Sequence, residues 1–217
     1  GSSMTEDEAK QWLVDQFDVS RETMATLQGI ADAVIAENDH QNLISAATIP
    51  AMWDRHIVDS AQLLLHLDDG SRGNQMPWMD LGTGAGFPGL VAAALLPHRP
   101  TLLVESRRRR FEFLRDTAKA LGLTNVMVHG GRLETLESRP VGVISARAFA
   151  PLPKLLDLAH RFSRNGTIWL LPKGRGARDE LESVTSSWHG VFHVEQSFTD
   201  ADAAIIVASD ASPRTSK

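Results

Sequence analysis

The 217-residue sequence contains no cysteine, so disulfide bonds and zinc or iron–sulfur sites built on thiolates are excluded. Long hydrophobic runs are also missing: the longest candidate, residues 90–96, is far shorter than the ~20 residues that a membrane-spanning helix requires. No charged segment followed by an apolar one, the pattern of a secretory signal, opens the chain. We therefore expect a cytoplasmic protein without a metal site.

Positive charge is in deficit, with 22 Lys and Arg against 27 Asp and Glu and a formal net charge of -5. Because nucleic-acid phosphates are bound mainly through Lys and Arg, this balance argues mildly against a nucleic-acid partner. The average hides a local reversal, since residues 107–119 hold five Arg and one Lys against two acids. The distribution of charge is therefore more informative than its sum.

Apolar periodicity divides the chain into a helical first third and an alternating remainder. Met24, Leu27, Ile30 and Val34 recur at helical spacing, and Pro50 predicts the start of a further helix. We expect one compact domain made of a tag-removal scar at 1–3, a helical N-terminal extension at 4–70, a core at 71–210 and a frayed tail at 211–217.

From residue 76 onward, short apolar segments alternate with helical ones. The predicted strands are residues 78–81, 101–105, 125–128, 141–145, 167–171, 191–198 and 203–208. The predicted helices between the first five strands are residues 89–96, 107–121 and 152–162. This order is typical of an α/β fold whose mainly parallel sheet is covered by helices on both faces. The last two strands, with no long helix between them, predict an antiparallel edge hairpin.

The strongest motif is DLGTGAGFPG at residues 80–89, between the first predicted strand and its helix. Glycines allow a sharp turn and a close approach of ligand to backbone, and the following helix offers unpaired N–H groups. Gly84, Gly86 and Gly89 also satisfy the G-x-G-x-x-G pattern, so a nicotinamide dinucleotide competes with S-adenosylmethionine as the cofactor. A tight turn without a ligand is the third interpretation.

Asp80 and Glu105 bear on the choice between the two cofactors. Asp80 would lie near the pyrophosphate of a dinucleotide, which is unfavourable, whereas the cationic S-adenosylmethionine has no phosphate. Glu105 ends the second predicted strand, where either cofactor presents ribose hydroxyls. The pattern therefore favours S-adenosylmethionine, and its predicted contacts are Asp80, Gly82, Gly84, Gly86 and Glu105.

Five segments together resemble one known family. They are NLI at 42–44, RHIVDS at 55–60, the glycine loop at 80–89, ISARAF at 144–149 and LPKG at 171–174. The combination is similar to the RsmG (GidB) family of bacterial 16S rRNA (guanine-N(7))-methyltransferases, in unbroken order from about residue 25 to residue 185. The C-terminal stretch matches poorly, and Glu105 stands where many members carry Asp.

This resemblance implies a class I S-adenosylmethionine-dependent methyltransferase fold, Rossmann-like, with a mainly parallel seven-stranded sheet and a helical N-terminal extension. It also implies methyl transfer to nitrogen 7 of a guanine, with 16S ribosomal RNA or a small-subunit ribosomal particle as the partner. We expect the chain to act as a monomer. The cofactor contacts that the family carries over are Gly82, Phe87, Glu105, Leu133, Glu134 and Arg147.

Four residues are expected to position the substrate, namely Asn42, His56, Arg147 and Lys173. Guanine nitrogen 7 has a free lone pair, so methylation requires in-line placement and no obligatory general base. Alternatives stay open, because Asn42 also suits a turn, His56 a structural histidine and Lys173 a solvated surface. Arg147 directly follows an apolar strand and therefore needs a partner.

RNA phosphates have four candidate partners: Arg109, Arg110, Lys173 and Arg175. A run of Arg on a helix is most often a solvated face, and this remains the alternative for residues 107–110. Other functional classes also stay open. They are a different S-adenosylmethionine-dependent methyltransferase, a nicotinamide-dinucleotide enzyme and an inactive ribosome-associated RNA-binding protein.

We expect the chain to bind S-adenosylmethionine and its demethylated product and to bind NAD negligibly, because Asp80 precedes the glycine loop. Isothermal titration calorimetry with each ligand measures this preference. Tight NAD binding without any heat from S-adenosylmethionine would contradict the choice of cofactor.

Overall fold

A seven-stranded mixed sheet forms the centre of the computed structural model, which describes residues 3–68 and 75–215. The strands are β1 (Trp78–Leu81), β2 (Thr101–Val104), β3 (Val126–His129), β4 (Val143–Ala146), β5 (Ile168–Lys173), β6 (Trp188–Gln196) and β7 (Ala204–Pro213). Their order is β3-β2-β1-β4-β5-β7-β6, with β1 to β5 parallel and β7 antiparallel to both of its neighbours. The order reverses between β1 and β4, the point at which open α/β sheets bind ligands.

Helices precede the sheet and connect its strands. They are α1 (Glu6–Phe17), α2 (Arg21–Glu37), α3 (Asp59–Ala61), α4 (Gly89–Leu95), α5 (Arg108–Ala120), α6 (Leu152–Ala159) and α7 (Ala177–Glu182). The chain around α3 is helical but irregular, with 3-10 turns at Ala46–Ala51 and Gln62–His66 and a π-helix at Trp53–Val58. The prediction that Pro50 starts this region is wrong, because Ser45 caps the first 3-10 turn five residues earlier by accepting from the Ala47 amide.

Buried hydrophobic clusters lie on both faces of the sheet. Leu103 belongs to the cluster that buries α1, α2 and α4, whereas its neighbours Leu102 and Val104 belong to the cluster under α6. This division follows from the strand period of two, which points successive side chains to opposite faces. Leu13 of α1 and Leu27 of α2 are fully buried in the first cluster, so the N-terminal helices depend on the sheet for their burial.

The first five predicted strands are confirmed with shifts of at most two residues at their ends, and the edge hairpin is confirmed as antiparallel. Both hairpin strands are longer than predicted, because Trp188 pairs with Pro213. The frayed tail predicted from residue 211 is therefore wrong for residues 211–213. Helix α7 was not predicted. The predicted boundary at residues 70 and 71 lies outside the described residues, as do residues 1–2 and 216–217.

Candidate functional site

The glycine loop connects β1 to α4 at the sheet edge where the strand order reverses. Gly82 has a φ of +62° and Gly86 a φ of +98°, angles that residues with a Cβ rarely adopt. A Cβ on Gly86 would also collide with the Leu90 side chain, and one on Gly82 would lie 3.1 Å from Phe149 Cδ2. These two glycines are therefore required both by the path of the loop and by its packing.

Asp80 lies under this loop and holds it to the sheet. Its carboxylate accepts from the Gly89 amide at 2.9 Å and from the Ser145 hydroxyl at 2.8 Å, and the residue is 1% exposed. Burial raises the pKa of Asp80 to about 6, although these hydrogen bonds and the Arg147 charge favour the ionised form. Asp80, predicted as a cofactor contact, is thus placed behind the loop.

The position of Asp80 also bears on the rival cofactor. Gly89 is the first residue of α4, so its amide is one of the unpaired donors of that helix terminus. A dinucleotide pyrophosphate binds at this terminus in Rossmann folds. Here the protein's own carboxylate takes the Gly89 amide, which disfavours a second anion at the same place.

A cleft of ≈ 270 Å³ lies at the carboxyl ends of the parallel strands. The predicted cofactor contacts that line it are Gly82, Glu105, Leu133 and Glu134. The Glu105 carboxylate accepts from the Gly84 amide at 3.0 Å through Oε1 and from the Arg107 amide at 2.9 Å through Oε2. Each carboxylate oxygen has two lone pairs, so each keeps one for a ligand hydroxyl.

The cleft also contains residues that were not predicted to contact a cofactor. They are Val104, Ser106, Arg107, Arg110, Gly131, Arg132, Ala148, Phe149, Ala150, Lys154 and Leu158. Most of them come at or after the carboxyl ends of β2, β3 and β4, and position after a parallel strand is the signal that would have found them. Lys154 and Leu158 come from α6, and no local pattern marks them.

A second pocket, which we call the Arg147 pocket, has a volume of ≈ 370 Å³ and adjoins the cleft at Ala148. Three cations line it, and each is paired with an acid. The pairs are Arg55–Asp200 at 3.3 Å, Arg147–Asp59 at 3.4 Å and Lys173–Glu180 at 3.0 Å. Arg147 was predicted to contact both the cofactor and the substrate. It lines this second pocket and does not line the cleft that contains Glu105.

Lys173 ends β5, and its side chain is only 9% exposed. Its ammonium donates to Glu180 Oε1, which also accepts from the Leu152 amide at 2.8 Å. The alternative of a solvated surface lysine is therefore wrong. Lys173 is instead a paired cation held in the wall of the Arg147 pocket.

His56 lies on the π-helix Trp53–Val58 and is 9% exposed. Its Nε2 lies 2.8 Å from Thr48 Oγ1, and the Thr48 hydroxyl itself donates to the Ser45 carbonyl at 2.8 Å. Which of Nε2 and the Thr48 hydroxyl donates follows the tautomer of the neutral His56 ring. The other ring nitrogen, Nδ1, is buried and has no hydrogen-bond partner among the described residues.

The His56 ring stacks on Phe87 of the glycine loop, with the ring centroids 5.2 Å apart. Burial, together with the nearby positive charges of Arg147 and Arg55, lowers the pKa of His56 to about 4. The imidazole is therefore neutral at physiological pH. Neither His56 nor Phe87 lines the cleft or the Arg147 pocket.

Asn42 and the basic helix meet in a third hollow of ≈ 610 Å³, lined by residues 38–42 and 107–110. The Arg109 guanidinium donates to the His40 carbonyl at 2.6 Å, and that of Arg110 donates to the Asn42 carbonyl at 3.1 Å. A guanidinium has five N–H donors, so both arginines keep donors for a phosphate. Arg175 lies outside all three sites, in an exposed pair with Asp202 at 2.9 Å.

Residues 3–68 and 75–215 contain neither a metal-binding cluster nor a membrane-spanning helix. Across these residues, no three His, Asp or Glu side chains come together in a group that could hold a metal ion. No helix in the same ranges has the length and apolar character needed to cross a membrane.

Known sequences resemble this chain over almost its full length. The family described as rRNA small subunit methyltransferase G matches residues 23–204. A ribosomal RNA small subunit methyltransferase G from Rhizorhabdus wittichii is 55% identical over 213 residues, covering 98% of this chain and 96% of the relative. The protein of the same name from Novosphingobium aromaticivorans is 53% identical and covers 94% of this chain and 88% of the relative.

Solved structures resemble the fold at low sequence identity. The O-methyltransferase TomG from Streptomyces achromogenes, in complex with SAM, has a TM-score of 0.58 at 16% identity and covers 83% of this chain and 89% of its own. A SAM-dependent methyltransferase from Aquifex aeolicus has a TM-score of 0.57 at 14% identity and covers 74% and 92%. The architecture is therefore that of class I methyltransferases.

The buried neutral imidazole predicts how stability depends on pH. The unfolded chain protonates His56 below its ordinary pKa of 6.5 and the folded chain only near pH 4, so His56 stabilises the fold above pH 6.5 and loses this effect as the pH falls. Through His56, the parent should lose about 3 kcal/mol of its free energy of unfolding between pH 6.5 and pH 4, and the His56→Gln variant should not show this loss. Urea unfolding of both proteins at several pH values measures it. A variant-minus-parent difference that is constant over this range would contradict it.

Proposed function

The chain belongs to the rRNA small subunit methyltransferase G family, and from this membership we propose that it transfers a methyl group from S-adenosylmethionine to nitrogen 7 of a guanine in 16S ribosomal RNA. The observation that carries the proposal is the cleft at the carboxyl ends of the parallel strands, where Glu105 offers a fixed carboxylate. The enzyme would act in the cytoplasm as a monomer, on the ribosomal RNA or on a small-subunit particle.

The cleft residues fit the chemistry of S-adenosylmethionine. Glu105 keeps lone pairs for two ribose hydroxyls, and Gly82 leaves the backbone open to a ligand. Arg107 and Lys154 line the same cleft and match the carboxylate of an amino-acid moiety. When bound, this cofactor supplies a methyl group on a cationic sulfur. The remaining contacts that we propose are Leu133 and Glu134, with Gly84, Gly86, Phe87 and Asp80 shaping the loop.

Two alternatives are less well supported. A nicotinamide dinucleotide requires an anion site at the start of α4, where Asp80 already accepts from the Gly89 amide. An inactive RNA-binding protein would not require a cofactor cleft with a hydrogen-bonded carboxylate at the strand ends.

We assign the acceptor guanine to the Arg147 pocket, because this pocket adjoins the cleft at Ala148. Arg147 and Lys173 would orient the nucleotide there. Asn42 would act from the basic hollow, which adjoins the cleft at Arg107 and Arg110, and His56 would act through Phe87 by fixing the glycine loop. Each of these roles is positional.

The acceptor atom explains why positioning residues are enough. Guanine nitrogen 7 attacks with a free lone pair, so no proton has to be removed before transfer. His56 is buried, its Nε2 is hydrogen-bonded to Thr48 and its pKa is lowered to about 4, which suits a fixed support and does not suit a general base. Correct placement of two reactants can supply about 7–11 kcal/mol of a barrier.

The phosphates of the RNA have a basic surface at the hollow beside α5. Arg109 and Arg110 line it and keep donors for phosphate oxygens, and Arg107 lines both the hollow and the cleft. Lys173 and Arg175 would extend this contact along the other side of the Arg147 pocket. The net charge of -5 does not oppose such binding, because the cations are local.

Methyl transfer to rRNA tests the function directly. We expect labelled S-adenosylmethionine to transfer its methyl group to 16S rRNA, alone or in small-subunit particles, prepared from cells that lack the protein, and base analysis to recover 7-methylguanine. The matched control is the same RNA from cells that contain the protein, which should accept little label because the site is already modified. RNA binding without any transfer would indicate the inactive binding protein, and label in another base would refute the acceptor atom.

Glu105→Ala should weaken binding of S-adenosylmethionine, because charged acceptors are removed from the ribose hydroxyls. The expected cost is about 1.5–3 kcal/mol, or roughly 10- to 150-fold in the dissociation constant. Calorimetry measures it, with Glu105→Asp as the matched control that keeps the carboxylate and should bind nearly as well as the parent. An unchanged dissociation constant for Glu105→Ala would remove Glu105 from the site.

A further inference from the structure

The RHIVDS segment forms hydrogen bonds to a loop that is far away in the sequence. Residues 197–203 connect β6 to β7 and form the β6–β7 loop, part of which lines the Arg147 pocket. Arg55 donates to the Thr199 carbonyl at 3.4 Å and to the Asp200 carboxylate at 3.3 Å. Gln62, one turn after the segment, accepts from the Phe198 amide at 2.7 Å. The RHIVDS segment, one of the five that resemble the family, therefore contacts the hairpin at the other end of the chain.

Asp59 is the centre of this contact. Its Oδ1 accepts from the Gln62 amide group at 3.1 Å and from the Thr199 hydroxyl through a short hydrogen bond. Its Oδ2 lies 3.4 Å from Arg147 Nη2. One carboxylate thus connects the cation of the pocket to the loop that forms a wall of the same pocket.

We propose that Asp59 is a positioning residue for methyl transfer, which holds Arg147 and the β6–β7 loop in the single arrangement that receives the acceptor guanine. The proposal rests on the proposed function, because it takes the Arg147 pocket as the guanine site. Asp59 lines the Arg147 pocket and does not line the cleft that is assigned to the cofactor. It acts through Arg147 on one side and through Thr199 on the other.

The shape of the β6–β7 loop does not depend on Asp59. The Gln196 amide group donates to four carbonyls of the loop, at distances of 3.1 to 3.3 Å. Phe198 also stacks on Trp12 of α1, with ring centroids 5.3 Å apart and planes at 20°. Loss of Asp59 should therefore shift the loop relative to Arg147 while leaving the loop folded and the rest of the protein stable.

Two substitutions break the contact from opposite sides. Asp59→Asn keeps one acceptor oxygen and replaces the other by a donor, so it cannot hold both Thr199 and Arg147. Thr199→Val keeps the shape of the side chain and removes only the hydroxyl. Asp32→Asn is the matched control, because Asp32 accepts from the Gln28 amide group at 2.9 Å on an exposed face of α2.

The experiment measures the single-turnover rate of methyl transfer at saturating rRNA. It also measures the dissociation constant of S-adenosylmethionine, the thermal stability and the amide hydrogen exchange of residues 197–203. We expect Asp59→Asn and Thr199→Val each to slow transfer by about tenfold or more, the effect of losing a hydrogen bond to a charged group. The double variant should be less slow than the product of the two single effects, because both substitutions act on the shared contact between Asp59 and Thr199. Cofactor affinity and the Asp32→Asn variant should match the parent, and exchange should quicken only in the β6–β7 loop.

Three results would overturn the proposal. Parent-like transfer by both single variants would exclude a positioning role. Additive losses would show that Asp59 and Thr199 act separately, and a parallel loss of cofactor affinity and thermal stability would show that Asp59 only supports the fold. A parent protein that transfers no methyl group to rRNA would instead refute the proposed function, so the two failures are distinguishable.

Discussion

The buried carboxylate of Asp80 is the constraint on which the ligand-binding edge of the sheet depends. Asp80 stands on β1, accepts from Ser145 on β4 and accepts from the first amide of α4, and the same Ser145 hydroxyl accepts from Trp78 Nε1 at 2.8 Å. One side chain therefore connects two central strands and a helix at the point where the strand order reverses. With these three elements joined, the glycine loop has a single path, and Gly82 faces the cleft beside Glu105.

Basic side chains are concentrated near the same edge of the sheet. The chain has a net charge of -5, yet the Arg147 pocket and the hollow beside α5 concentrate arginine and lysine side chains. In the pocket the cations are paired with acids, which reduces their mutual repulsion and offsets part of the cost of removing them from water. In the hollow, Arg109 and Arg110 bind backbone carbonyls while Arg109 stays exposed and Arg110 partly exposed, which suits contact with phosphates in solution.

The sequence by itself determined the fold class, the order of the strands along the chain and the position of the cofactor loop. These features depend on local chemistry, namely the period of apolar residues and the backbone freedom of Gly82 and Gly86. The five segments that resemble the family are also local, and the match over residues 23–204 confirmed that the chain belongs to this family. The position of Glu105 in the cleft was predictable for a related reason, because residues at the carboxyl ends of parallel strands lie at the edge of the sheet where ligands bind. Element ends were predicted less well, since pairing partners such as Trp188 and Pro213 are remote in sequence.

Only the tertiary structure decided what the polar side chains touch. Asp80 meets Ser145 across 65 positions and Asp59 meets Thr199 across 140, and no local pattern encodes either contact. The same packing buried Asp80, which does not line the cleft, and buried Lys173 against Glu180. It also left His56 neutral behind Phe87. The physical reason is that burial and hydrogen bonding depend on which elements meet in space, whereas periodicity and motif spacing specify only what each element is.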